Sequence, residues 1–303
     1  MSTLEGILAV NKPAGWTSHD VVAKVRRIVK MKRIGHAGTL DPQVTGVLPL
    51  CLGRATRVLE YLQELPKEYK AVMRLGYATD TEDVTGNVLE SVDEVHVTRE
   101  EAEEALRSFV GEISQVPPMY SAVKVDGKRL YELAREGKVV ERKSRNVFIH
   151  EIEMTGFEAG DAGTDISFRV LCSKGTYIRT LCVDIGKALG LPSVMVQLER
   201  TRSAGVTAEQ CLSIEDIERL MSEGTLDAYL IPVDEAISHL PAHRVGEEKA
   251  EAALRGQRLS ARVVTPPVQD ERPVRLYDGS GKFLGIFQKQ EESGAIAPVK
   301  VFS

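Results

Sequence analysis

Cysteine is scarce in this chain: four in 303 residues, Cys51, Cys172, Cys182 and Cys211, and no two are spaced C-x-x-C. That is too few for a disulfide scaffold and the wrong spacing for a zinc knuckle, so a reduced cytoplasmic protein is expected. No apolar run approaches the roughly 20 residues that a membrane helix needs. Met1–Lys12 has no basic segment leading into an apolar one, which excludes a secretory leader. Three phosphate- and nucleophile-bearing loops are also missing: no G-x-x-x-x-G-K-[ST], no G-x-G-x-x-G after a strand, and no G-x-S-x-G. Of the six histidines, His239 and His243 are a close pair, but Pro241 between them breaks the helix that would align them on a metal. A reaction that needs neither metal nor cofactor is what these absences favour.

What is present is ordinary globular composition, 43% hydrophobic with 25 Gly and 13 Pro, and a length that suggests two domains. Net charge is −5, which taken alone argues against a nucleic-acid partner. Its distribution says otherwise. Residues 1–60 hold 9 basic and 4 acidic groups, 61–110 hold 5 and 12, and 111–150 hold 8 and 5. A nucleic-acid binder needs local positive faces where phosphates sit, not a positive total.

Along the chain, Gly6–Asn11 reads as a buried strand closed by the turn Lys12-Pro13-Ala14-Gly15. Thr17 and Asp20 form a capping box opening a helix to about Met31. Its Lys24, Arg26, Arg27 and Lys30 read either as a solvated basic face or as a phosphate-binding one. Arg33–Pro49 is broken by three glycines and two prolines and reads as a structured loop leading to a strand at Val47–Leu52. A helix from Ala55 to Gln63, a half-buried strand from Tyr69 to Leu75 and a helix capped by Thr98 and Glu101 follow. Pro117 and Pro118 force an extended segment, Asp126-Gly127 a tight turn, and Arg129–Glu136 a short helix. A strand at Phe168–Cys172 and a helix at Tyr177–Leu189 come next, then a short helix at Ser213–Ser222. From Ile231 the chain turns mostly β, with a helix at Gly246–Arg255 and a hairpin joining Val274–Tyr277 to Phe283–Gln288. Irregular spacing of strands and helices favours an α+β fold, with domains at 1–230 and 231–303.

Asp41 is the acid to watch. Pro42 biases it to extended backbone, and Gly35, Gly38 and Gly46 let the loop approach a ligand closely. A rigid loop acid among small residues suits a nucleophile or base aimed into a cleft; equally, it can simply close a turn. Arg179 stands near a helix start, where the macrodipole disfavours a cation, so a carboxylate partner is expected and Asp41 is one candidate. Tyr69 and Tyr177 are either core tyrosines or aromatics offered to a ligand.

Six segments in order resemble the TruB family of tRNA pseudouridine synthases: NKPAGWTSHDVV (11–22), GHAGTLDPQVTGVLP (35–49), KEYKAVMRLGYATDTEDVTG (67–86), QVPPMYSAVKVDGKRLYELAREG (115–137), CSKGTYIRTLCVDIG (172–186) and LERTRSAG (198–205). They span about two-thirds of the chain. The resemblance implies a pseudouridine-synthase fold, a central mixed and mainly antiparallel sheet flanked by helices, followed by a small PUA-like RNA-binding domain at 231–303. It implies Asp41 as catalytic nucleophile, Arg179 as its partner and Tyr69 stacking on the target base. By the same carry-over Tyr177 and Leu198 line the uridine pocket, and His36 occupies the T-loop beside the extruded base. Lys12 falls among the substrate-contacting positions, although with Pro13 it also reads as support for the loop. The stretch 124–145, 8 basic against 4 acidic groups, coincides with the family's RNA-clasping insertion.

The implied reaction is isomerisation of uridine 55 in the T-loop of tRNA by a monomer, without metal, cofactor or membrane. The glycosidic C–N bond breaks, uracil turns, and a C–C bond forms, so one ionised carboxylate is enough. The sequence leaves open whether it attacks C1′ or acts as base at C2′. A stacked base cannot be reached, so the target must be flipped out. Two other readings stand beside this one. A nucleoside or glycoside hydrolase would need a second carboxylate, with Asp80 and Asp83 the nearest candidates; a non-catalytic RNA-binding protein would make Asp41 dispensable.

Overall fold

The computed structural model describes residues 4–125, 127–160, 163–291 and 293–302. Strand β1 (Gly6–Lys12) leads through a tight turn to α1 (Ser18–Val29). The Thr17–Asp20 capping box forms, and the helix stops at Lys30, whose left-handed φ of 51° ends it a residue before the expected Met31. The segment expected to be all loop from Arg33 is strand at both ends: β2 (Ile34–His36) and β3 (Thr45–Leu52) pair antiparallel. Only 37–44 between them is irregular. A 3₁₀ turn (Gly53–Val58) and α2 (Leu59–Glu64) replace the single helix expected there.

Next come β4 (Lys67–Leu75), the hairpin β5 (Tyr77–Thr79) and β6 (Val88–Ser91), α3 (Arg99–Ser108) and β7 (Gly111–Gln115). After the proline strap, β8 (Lys124–Val125) and β9 (Lys128–Arg129) form a small hairpin before α4 (Leu130–Arg135). Of the expected Asp126-Gly127 turn, Asp126 lies outside the described residues; Gly127 has φ +82°. Two long antiparallel strands, β10 (Arg145–Gly160) and β11 (Gly163–Cys172), precede α5 (Ile178–Ala188), β12 (Ser193–Ser203), β13 (Val206–Thr207) and α6 (Ile214–Glu223).

The central sheet runs β1-β3-β12-β4-β11-β10-β7, with β2 and β13 off its path. Every neighbouring pair is antiparallel except β3–β12. Strict alternation along β4 and β11 buries Tyr69, Ala71, Met73, Ile166, Phe168 and Val170 under α3 and α5, the half-buried pattern of a sheet covered on that face. At the sheet's other end α1 and α6 pack on β1 and β3. A second, six-stranded sheet begins at Ala242 and carries the helix Glu247–Leu254 and the expected hairpin. His243 lies in one of its strands with Nδ1 2.6 Å from the Pro266 carbonyl, away from His239 chemistry. Residues 231–240 bridge the two bodies: Ile231 pairs with Ile7, and Val233 and Ile237 share a buried cluster with Ile286 and Phe302. The fold is α+β: two main sheets, each with helices packed on it, and two small hairpins.

Candidate active site

Where the irregular segment 37–44 crosses the middle of the first sheet, a cleft of about 610 Å³ opens. Segment 37–44 forms one wall, the β11–α5 connection and the Pro118–Ala122 strap the other, and β4 and β12 the floor. The segment is held from beneath by buried cations spending donors on its carbonyls. Lys12, fully buried, donates through Nζ to the carbonyls of Pro13 (2.9 Å), Trp16 (2.6 Å) and Pro42 (2.9 Å). Arg200, 1% exposed, donates to Val47 (2.8 Å), Thr39 (3.4 Å) and Gly38 (3.0 Å). Ser18 Oγ accepts from the Leu40 amide at 2.9 Å. Gly46 is obligatory here: at φ +102° an added Cβ would stand 2.2 Å from the Arg200 carbonyl.

Lys12, expected among the substrate-contacting positions and also as support for the loop, lies beneath the loop and outside the cleft lining. Its ammonium is saturated by three backbone acceptors below the loop and does not line the cleft. Burial pushes its pKa down to about 8, and the charge of Asp41 opposes that shift. Its role is to fix the turn into which Asp41 is set.

Asp41 Oδ2 lies 2.9 Å from Arg179 Nη2; the carboxylate side chain is 46% exposed and the guanidinium 6%. One partner faces the opening and the other is rooted in the protein. Arg179 is aimed by two more bonds, Nη1 to the Thr81 carbonyl (3.0 Å) and Nη2 to the Tyr120 carbonyl (2.8 Å), so it sits where three segments meet. The unfavourable place near the start of α5 is compensated by these acceptors. Tyr69, buried on β4, lines the cleft, and burial raises its hydroxyl pKa, partly offset by Arg200. Tyr177 and Leu198 line it as well.

His36 stands one residue outside the lining, stacked edge-to-face on His19 with ring centroids 5.8 Å apart. Burial, then the charges of His19 and Arg200, lower its pKa, which favours the neutral ring. Asp80 and Asp83, the acids a hydrolase would need, are spent on turns. Asp80 accepts from the Asn87 amide at 2.9 Å, Asp83 from Thr85 N and Oγ1 at 2.9 and 2.6 Å, and neither lines the cleft. Among the described residues no cluster of His, Cys, Asp and Glu is arranged to hold a metal ion.

Three residues escaped the sequence reading. Gln115, 1% exposed, clamps the Tyr177 main chain through both ends of its amide, 3.0 and 3.2 Å. Lys67 and Arg200 line the cleft floor. A signal for Lys67 was available, since it stands two residues before Tyr69 on a strand and must share its face. For Arg200 the same logic from Leu198 was available too, because the register is regular from Leu198 to Arg200.

Comparison with known proteins covers nearly the whole chain. Residues 26–178 match the TruB family pseudouridylate synthase N-terminal domain, 179–238 the tRNA pseudouridylate synthase B C-terminal domain, and 241–302 the pseudouridine synthase II TruB C-terminal region. A tRNA pseudouridine synthase B of Bacillus pumilus (strain SAFR-032) is 43% identical, covering 99% of this chain and 98% of that protein. The protein of the same name from Geobacillus thermodenitrificans (strain NG80-2) is 44% identical over 99% and 100%. Among solved structures, a Cbf5–Nop10–Gar1 complex superposes with a TM-score of 0.77 at 28% identity, covering 99% of this chain and 85% of that one. An H/ACA ribonucleoprotein bound to a substrate RNA containing 2′-deoxyuridine gives 0.76 at 26%, covering 99% and 86%. Sequence, fold and the ordered motifs around Asp41 agree: the chain belongs to the TruB family of pseudouridine synthases.

Proposed function

We infer that this protein isomerises uridine 55 in the T-loop of tRNA to pseudouridine, acting in the cytoplasm as a monomer on the T-arm and elbow. The observation that carries the reading is the Asp41–Arg179 pair, exposed on the carboxylate side only, in a cleft lined by Tyr69, Tyr177 and Leu198. The arginine fixes the direction of the carboxylate. Residues 1–230 supply the chemistry and residues 231–303 a PUA-like RNA-binding module. His36, beside the mouth, fills the T-loop where the base has left.

In this scheme the target uridine swings out of its stack at a cost of a few kcal/mol. Stacking on Tyr69 returns roughly 1–3 kcal/mol of it. Asp41 acts on the sugar, either at C1′ as nucleophile or at C2′ as base, and the C–N bond breaks. Uracil turns within the walls of the cleft and rejoins through carbon; the proton leaves carbon and appears on nitrogen, so nothing is oxidised and nothing is lost. A hydrolase would admit water and release uracil, and would want a second acid; Asp41 is the one carboxylate lining the cleft among the described residues.

The test is conversion of an unmodified tRNA transcript by the wild type and by Asp41→Asn, read by mass and by carbodiimide-dependent primer stops. Wild type is expected to convert the T-loop uridine. Asp41→Asn should keep its RNA affinity within about threefold and lose at least about a thousandfold in turnover. Free uracil as product would establish a hydrolase instead. Tight binding without conversion by either protein would leave an RNA-binding protein.

A further inference from the structure

Four cations are buried around the Asp41 loop: Lys12 and Arg200 at 0 and 1% exposure, Arg179 at 5% and Lys67 at 8%. Among the described residues the ion pair in contact with any of them is Asp41–Arg179; Asp20, Glu64 and Glu82 act on Lys12, Lys67 and Arg179 from farther off. A buried cation with only carbonyls for company has given up its hydration for dipoles, which offsets the cost in part. The remaining charge is an attraction for an anion not supplied by the protein.

Lys67 and Arg200 differ from Lys12 in facing the cleft. Lys67 Nζ donates to the carbonyls of Gln63 (3.0 Å) and Leu65 (3.1 Å) at the end of α2, which leaves its third N–H for another acceptor. The two cations converge beneath Gly38. A Cβ added there would stand 3.4 Å from Arg200 Nη1 and 3.7 Å from Lys67 Cε, so the absence of a side chain keeps the space over both of them open. The other charged groups near Lys67 do not neutralise it: Lys174, on the same wall, is paired with Glu64, and Cys172 is a buried thiol whose pKa is raised by that burial.

We propose that Lys67 and Arg200 form a seat for one phosphodiester of the RNA strand next to the extruded uridine, Lys67 making the contact and Arg200 supplying charge from below. The proposal rests on the reading that RNA enters this cleft. It assigns Lys67 to substrate placement, whereas a purely structural lysine would do no more than satisfy the carbonyls at the end of α2. The two roles differ in one measurable respect. A phosphate contact releases a counterion, so its loss lowers the dependence of binding on salt; a cap does not.

The experiment measures tRNA affinity across a salt series in an Asp41→Asn background, which prevents turnover during binding. Lys67→Met is expected to weaken binding about fivefold at low salt and to lower the slope of log K against log salt by about one, while Lys67→Arg keeps the slope. A T-arm RNA with a single methylphosphonate, scanned across the phosphates flanking the target, gives the complementary reading. At one position the neutral linkage should cost the parent protein as much as Lys67→Met does and cost the Lys67→Met protein nothing further. Should Lys67→Met fail to fold, Lys67→Gln, which keeps donors for the α2 carbonyls, carries the same test. An unchanged slope in the uncharged variants, or no methylphosphonate position that is silent in them, overturns the proposal. A wild type that binds tRNA but makes no pseudouridine overturns instead the reading of function on which it rests.

Discussion

Two regions of this molecule are read as RNA-contacting, the Asp41 loop and the insertion after the proline strap, and they are built on opposite principles. The loop is short and pinned: Lys12, Arg200 and Ser18 tie down the carbonyls or amides of Gly38, Thr39, Leu40 and Pro42 from inside the protein. The insertion is held more lightly, by Leu130 and Leu133 on the inner face of α4, the Leu130 and Tyr131 amides donating to the Val123 and Ser121 carbonyls, and Arg142 Nη1 donating to the Pro117 carbonyl. Its charges face outward, with Arg129 and Arg135 flanking the Tyr131 ring at 5.7 and 5.5 Å and Val139 85% exposed. A group that must act at one sugar carbon has to be fixed to a fraction of an ångström. A surface that grips phosphates gains from long side chains that follow the ligand. The comparison separates chemistry from grip, and variants on each side should separate them in measurement.

The largest effect is expected on the pinned side. In Arg179→Ala the aspartate loses the partner that orients it, and the Thr81 and Tyr120 carbonyls lose their donor. Turnover of saturating tRNA should fall about a hundredfold or more, the scale of removing one preorganised charged partner, with a much smaller change in KM. Single-turnover kinetics separate the two, and near-normal turnover would break the assignment of Arg179 to the chemistry.

Lys12→Met should act one step further back. Three carbonyls lose their donor, and unsatisfied buried acceptors cost about 1–3 kcal/mol in stability, offset in part because the variant no longer buries an ammonium. Denaturant unfolding reads that loss directly. The same lysine has a linkage signature. Its folded pKa, about 8, lies below its ordinary value, so between about pH 8 and 10.5 the folded state sheds a proton that the unfolded chain retains. The penalty for burying that charge is present in full below pH 8 and is relieved as pH rises through this window. Lys67, also pushed down to about 8 by burial, adds a term of the same sign. A Lys12→Met protein should show a flatter stability curve there than the wild type.

How far the sequence revealed these two regions follows from the kind of signal each carries. Asp41 stands out because Pro42 and three glycines set it in a rigid loop, but a turn-closing acid fits that pattern too and only the family resemblance separates the two; Arg179 stands out because a cation near a helix start calls for a partner. The fold around them was legible where period or capping is local, as in α1, β4 and α5. It was obscured where order comes from distance. No element is expected from the sequence at Arg145–Gly160, yet it forms a sixteen-residue strand because β7 and β11 pair with it on either side. Its outward face is satisfied by charges from other strands, Arg169 reaching Glu151 at 3.0 Å and Glu153 at 3.3 Å. Lys12 reads from the sequence both as a substrate-contacting position and, with Pro13, as support for the loop; only the folded loop shows that its three acceptors lie inside.

The insertion gives the smallest and most graded prediction. Glu136 already draws on Lys128 at 3.4 Å and Lys138 at 2.7 Å, so those two lysines are partly neutralised and their removal should matter least. Arg129 and Arg135 keep their charge beside an aromatic ring, with no carboxylate paired to either side chain among the described residues, although Arg129 Nη1 spends one N–H on the Tyr131 hydroxyl at 2.8 Å. Replacing both by Ala should lower tRNA affinity about three- to tenfold and reduce the salt slope by about two. Replacing Lys128 and Lys138 should reduce it by less than one on the same scale. Saturating turnover should fall far less than in Arg179→Ala, because nothing in the insertion touches Asp41. Equal losses in affinity and turnover from the arginine pair would mean that grip and chemistry are coupled through the strap, whose Ser121 carbonyl accepts from the Tyr131 amide and whose Tyr120 carbonyl accepts from Arg179.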